Sequence, residues 1–123
     1  MAHPFDALNQ EQYISLTTYK KDGTPKATPV WFVRDGDKLY VWTEANSFKV
    51  KRLNNNPQCE IAPCTANGTL TGASFKATGI VKPEQAERVF GMIKRKYGLF
   101  ARMFGLMNFF RPSERAALEL SAS

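Results

Sequence analysis

The stretch that decides the fold runs from Tyr13 to Cys64: YISLTTYKKDGTPKATPVWFVRDGDKLYVWTEANSFKVKRLNNNPQCEIAPC. It opens with a period of two. Ile14, Leu16 and Thr18 point one way, and Tyr13, Ser15, Thr17 and Tyr19 the other, which predicts a strand. Lys21-Asp22-Gly23-Thr24 is a hairpin turn, because Asp-Gly accepts the positive φ that tight turns require. A second strand is expected over Lys26–Arg34, apolar on both faces and so covered on both. A second turn, Arg34-Asp35-Gly36-Asp37, leads to a third strand alternating Leu39, Val41 and Thr43 with Tyr40, Trp42 and Glu44. Asn46 or Ser47 suits a helix N-cap, Val50 and Leu53 form that helix's apolar side, and Asn54-Asn55-Asn56-Pro57 ends it. A fourth strand is predicted over Gln58–Thr65.

Pro29 is out of place in a central strand, since it cannot donate to a ladder. Two readings stand: simple edge protection, or an opening of the sheet that leaves backbone near Thr28 and Val30 for a ligand.

Outward from this stretch, residues 5–12 read as a short helical lead-in with Phe5 and Leu8 turned inward. Asn67-Gly68 marks a turn, and Leu70–Lys82 a long fifth strand. Pro83 suits the first position of the clearest helix. There Ala86, Val89, Phe90, Ile93 and Tyr97 make one apolar stripe and Gly98 a C-cap. Leu99–Phe110 is a second apolar segment, expected to cover the barrel or a partner subunit. Ala116–Ser121 reads as a last strand. Antiparallel strands with one inserted helix and late helices predict a small barrel crossed by helices.

The chain has 123 residues, a net charge of +6 and 43% hydrophobic residues. That is one domain, residues 1–123, with a real core and an anionic partner. Cys59 and Cys64 would lie on opposite faces of one strand, so no disulfide is expected between them. Two buried thiols fit a reducing cytoplasm. The single histidine, His3, sits near the N-terminus, and no clustered metal ligands are visible. No segment is long enough to span a bilayer. No Gly-x-Ser-x-Gly, Walker-type or Rossmann-type loop appears. An enzyme of this composition would rely on a bound cofactor for its reactive atom.

The best candidate for chemistry is Ser47-Phe48-Lys49-Val50-Lys51-Arg52. A helix N-terminus offers free N–H groups and a favourable dipole to an anion, and the cations add charge. The alternative is a solvated basic face. Trp31, Tyr40 and Trp42 suit either a flat ring or a core. Lys94-Arg95-Lys96, Arg102 and Arg111 read first as dipole compensation and solubility.

TTYKKDGTPKATPVWFV, GDKLYVWT, SFKVKRLNNNP, IAPC and RKYG together resemble the flavin- and deazaflavin-binding split-barrel proteins, relatives of pyridoxamine 5′-phosphate oxidase. The resemblance is greatest to the small coenzyme F-420-dependent oxidoreductases among them. It implies a mainly β, six-stranded antiparallel split β-barrel with a short inserted helix and C-terminal helices. It also implies a homodimer with two cofactor sites at the subunit interface. Carried over, Thr28, Pro29, Val30 and Trp31 would lie along the ring system. Thr43, Ser47, Lys49, Lys51 and Arg52 would hold the phosphate. The implied function is a cytoplasmic oxidoreductase that uses coenzyme F-420 to move a hydride to or from a small organic substrate. TLTGASFKATG and Arg111–Arg115 depart from the pattern, which keeps FMN as the alternative cofactor. A non-catalytic binding protein for the same cofactors and a basic nucleic-acid-binding barrel are the other readings. Burial of the aromatics counts against the last.

Overall fold

The structure is a computed structural model that describes residues 3–98 and 115–122. Its strands follow from the alternation and the turns. They are β1 (Tyr13–Tyr19), β2 (Pro25–Val30), β3 (Val33–Asp35), β4 (Lys38–Glu44), β5 (Gln58–Cys64), β6 (Phe75–Lys82) and β7 (Arg115–Ala122). All pair antiparallel in one sheet of order β2-β1-β5-β6-β7-β4-β3. Both hairpin glycines take the expected positive φ, 89° at Gly23 and 63° at Gly36.

The sheet has seven strands because the second predicted strand is broken. Val30 ends β2 on one outer edge of the sheet, and Val33 starts β3 on the other. Three residues span at most about 11 Å. The two edges must therefore come together, and the sheet curls into a barrel. The expectation that this stretch is covered on both faces fails for β2: Pro25–Ala27 are exposed and Thr28–Val30 half-buried. Phe32 and Val33, past the break, are buried.

Inward-facing side chains make the main core: Ile14, Leu16, Leu39, Val41, Ile61, Ala77, Leu118 and Leu120, with Phe5 and Leu8 from a 3-10 turn at Pro4–Leu8. That turn is shorter than the predicted lead-in. Helix α1 (Phe48–Asn55) adds Val50 and Leu53 to this core. Gly79 is what lets it in. A Cβ there would meet Leu53 at 3.0 Å and Leu120 at 3.1 Å, closer than ordinary packing allows. Ser47 is the N-cap, its hydroxyl accepting the Val50 N–H at 3.4 Å. The C-cap differs from expectation. Asn56 is extended (φ −148°) and its side chain accepts the Gln58 N–H at 3.1 Å. A local hydrogen bond and Pro57 thus stop the helix without a left-handed residue.

Helix α2 (Ala86–Tyr97) follows a short 3-10 turn at Pro83–Gln85. It lays Val89, Ile93 and Tyr97 on the outer face of β3, β4 and β7, in a second cluster with Val33, Tyr40 and Ala117. Gly98, at φ 58°, ends it as predicted. The fifth strand starts at Phe75 instead of Leu70, which keeps only an isolated bridge to Cys64. Cys59 and Cys64 are both buried and free, and burial pushes the Cys59 thiol up to about 12. The predicted apolar segment Leu99–Phe110 lies outside the described residues. No helix among the described residues is long and apolar enough to cross a membrane.

Candidate functional site

The break between β2 and β3 leaves two strand edges without a described partner. β3 pairs with β4 only at Lys38–Tyr40, leaving Val41–Glu44 without a described strand on that side. β2 has turned away to pair with β1, and its other edge is likewise free of any described strand. Extending the β3–β4 register would set Val30 opposite Thr43. The two edges part after this point instead: Thr28, Pro29 and Val30 follow β1, with Trp31 in the link to β3, while Thr43 stays on β4 ahead of α1.

A clamp from α2 holds the point of divergence. The Tyr97 hydroxyl accepts the Phe32 N–H at 3.1 Å and donates to the Gln12 carbonyl at 2.7 Å, with the Phe32 carbonyl a second acceptor at 3.1 Å. The Lys96 ammonium donates to the same Phe32 carbonyl at 2.9 Å and stands 3.4 Å from the Phe32 ring centroid. Without these partners the broken strand would bury unpaired backbone, at about 1–3 kcal/mol per group. Burial raises the Tyr97 hydroxyl far above its ordinary value and lowers Lys96 to about 8, Glu11 opposing the latter. The Trp31 ring stacks on Tyr97 at 4.2 Å and 8°. In the sequence Tyr97 is one member of an apolar stripe. Its role in the clamp is a contact across 65 residues that no local pattern announces.

The other aromatics are used structurally. Trp42 stacks on Phe90 at 4.7 Å, and the Tyr40 hydroxyl donates to Glu119 at 3.0 Å.

On the α1 side the electrostatics run against habit. The first turn holds no acidic residue, although a helix N-terminus ordinarily favours one. Lys49 occupies the second helical position instead. It is half-buried, and burial, then Arg52, lower its pKa, Glu44 partly opposing. Glu44 itself pairs with Arg115 at 3.2 Å. The Thr43 and Ser47 hydroxyls meet at 3.5 Å. The two hydroxyls thus lie together at the start of α1, where unpaired helical N–H groups favour an anion.

Lys51 and Arg52 turn elsewhere. At about 100° per residue, Phe48, Lys51 and Arg52 share one face of α1, and together they wall a groove that neither Ser47 nor Lys49 lines. Of the nine expected residues, Thr28–Trp31 belong to the end of β2 and the link after it, the Thr43 and Ser47 hydroxyls lie together, Lys51 and Arg52 wall the groove, and Lys49 stands half-buried near Arg52 and Glu44. Among the described residues no cluster of metal-ligating side chains occurs.

The family model for pyridoxamine 5′-phosphate oxidase matches residues 5–120. The chain belongs to the pyridoxamine 5′-phosphate oxidase family. Its fold is that family's split barrel. An F420 reductase is 15% identical at a TM-score of 0.68, over 100% of this chain and 96% of that one. A conserved hypothetical protein from Mycobacterium tuberculosis is 24% identical at 0.70, over 95% and 76%. HutZ, the heme storage protein from Vibrio cholerae, is 14% identical at 0.68, over 100% and 92%. At these identities the likeness is one of fold. No curated protein matches the sequence.

Proposed function

We infer that this chain is an oxidoreductase that works with a bound deazaflavin, coenzyme F-420, or with FMN in its place, on a small organic substrate. The observation that carries this reading is the parting of the two edges. In a barrel of the pyridoxamine 5′-phosphate oxidase family, β2 leaves an edge without a described strand at Thr28–Val30, and α1 starts after Ser47 with no acid in its first turn; the reading sets these two features at one site. The likeness to an F420 reductase adds support for the deazaflavin.

The β2 edge would hold the ring system, with Thr28 and Val30 half-buried along it and Pro29 removing one backbone donor. Trp31 would back the ring while braced by Tyr97. Thr43, Ser47 and Lys49 would take the phosphate, with Lys51 and Arg52 adding positive potential from the next face of α1. When bound, the cofactor supplies the atom that gives or takes the hydride. The protein's part is binding, orientation and charge. A homodimer completing the site from a second subunit, and a cytoplasmic location, belong to this proposal.

The test is titration of the purified protein with F-420 and with FMN, read by fluorescence, followed by mixing the reduced cofactor with candidate acceptors. Saturable binding with turnover supports the oxidoreductase. Binding without turnover supports a cofactor carrier. Absence of both kinds of binding refutes the reading.

A further inference from the structure

The groove walled by α1 has a chemistry of its own. Phe48, Lys51 and Arg52 face Lys20, Lys21 and Lys26 of the β1–β2 hairpin across a space of about 370 Å³, at the small end of ligand-pocket sizes. Five cations thus line one concavity. None of them forms an ion pair with a described residue. The nearby carboxylates are engaged: Asp22 accepts the Thr24 N–H in its own turn at 2.9 Å, and Glu60 accepts the Tyr19 hydroxyl at 2.9 Å. Like charges gathered in a cleft repel and focus positive potential into it, which an anion would relieve.

Two features distinguish the groove from a solvated basic face. Arg52 is anchored, since its guanidinium donates to the hydroxyl of fully buried Thr18 at 3.2 Å. Phe48 is a large aromatic left 70% exposed, with Lys51 and Arg52 at 5.4 and 5.7 Å from its ring centroid. An oligophosphate chain concentrates negative charge at the scale of this cleft and suits both the lysine point charges and the arginine fork. A flat ring attached to that chain would find Phe48 at the groove's wall.

The geometry points to a second anion site here, for a nucleoside polyphosphate, distinct from the proposed cofactor-phosphate cluster at Thr43, Ser47 and Lys49. It does not rest on the cofactor reading. Lys20, Lys21 and Lys26 play no part in that reading, so a variant of these three separates the two.

The experiment measures binding of inorganic tripolyphosphate and of ATP to the full chain at low salt by calorimetry. The variants are Lys20→Ala/Lys21→Ala/Lys26→Ala and Phe48→Ala, with melting curves to confirm folding. Expected are dissociation constants below about 1 mM for both probes and an affinity that falls steeply with salt. The triple variant should lose about tenfold or more for both, with FMN and F-420 titrations unchanged. Phe48→Ala should weaken ATP about fivefold and leave tripolyphosphate alone. Full affinity in the triple variant, or no saturable binding by the wild type, overturns the site. So does an oligoglutamate peptide that binds as tightly as tripolyphosphate, or a single-stranded oligonucleotide that binds far more tightly than ATP.

Discussion

Lys49 sits where a helix would rather have an acid, and replacing it should make the cofactor-free protein more stable. It is the second residue of α1, in a first turn with no carboxylate, and its pKa is lowered by burial and by Arg52. A cation at the positive end of a helix dipole costs about 0.3–1 kcal/mol. Lys49→Met keeps the side chain's length and removes the charge. At about 0.5 kcal/mol, a domain of this size should melt about 2–3 °C higher. The same change deletes a charge-assisted bond to the proposed phosphate, worth about 1.5–3 kcal/mol. Affinity for F-420 or FMN should then drop about 10- to 100-fold. The assay is a pair of measurements on one variant: a melting curve without cofactor and a fluorescence titration with it. Opposite signs, a firmer fold and a weaker complex, mark a residue retained for an anion. If Lys49→Met melts lower than wild type, or binds cofactor as well as wild type, the argument from helix electrostatics is wrong.

Tyr97→Phe should keep the stack on Trp31 but leave the Phe32 N–H without its partner, at about 1–3 kcal/mol. A lower urea midpoint and faster amide exchange at Phe32 would show this; an unchanged midpoint would remove the clamp. Gly79→Ala should cost about 1 kcal/mol or more by pressing α1 away from the barrel through Leu53, read as a lower midpoint. Lys96 gives a pH signature. Its folded pKa, about 8, lies below the ordinary 10.5, so the unfolded chain holds the proton more tightly between those values. Its penalty is in force below pH 8 and lifts as pH rises through that window. Stability should therefore climb modestly there: the ammonium is desolvated against Phe32, but solvent still screens a side chain that is exposed over much of its length. Lys96→Met should flatten the climb.

The parts of the fold that depend on local pattern were legible. Alternation in Tyr13–Tyr19, the Asp-Gly turns and the Ser47 cap each appear where the residues demand. What was not legible is what distant residues do to a local preference. Pro29 signals a disturbed strand, yet β2 runs through it, paired with Ser15, and breaks two residues later. Proline lacks only a donor, and an edge strand can spare one. The break needs partners for the Phe32 backbone, which Tyr97 and Lys96 bring from the far end of α2. The candidate site divides the same way. The basic helix start was visible as a run of residue types. Its separation from the groove follows from which face of α1 packs inward, set by Val50, Leu53 and the space at Gly79.

That division bears on how the charge of the chain is used. A net +6 suits any anion when read as a total. In the fold it resolves into a half-buried lysine at a helix start and five cations around a groove on another face of the same helix. On these proposals one short helix would carry two neighbouring anion-seeking surfaces, both away from the side that packs Val50 and Leu53 into the core. A ligand bound at either surface would stabilise the same helix, because each relieves repulsion that folding creates. Binding at one should then raise affinity at the other, and the linkage must be reciprocal. Titrating FMN or F-420 with and without saturating tripolyphosphate measures it directly. Identical cofactor affinities in the two titrations would mean that α1 is already rigid without either ligand, and that the repulsion at its N-terminus is too weak to matter.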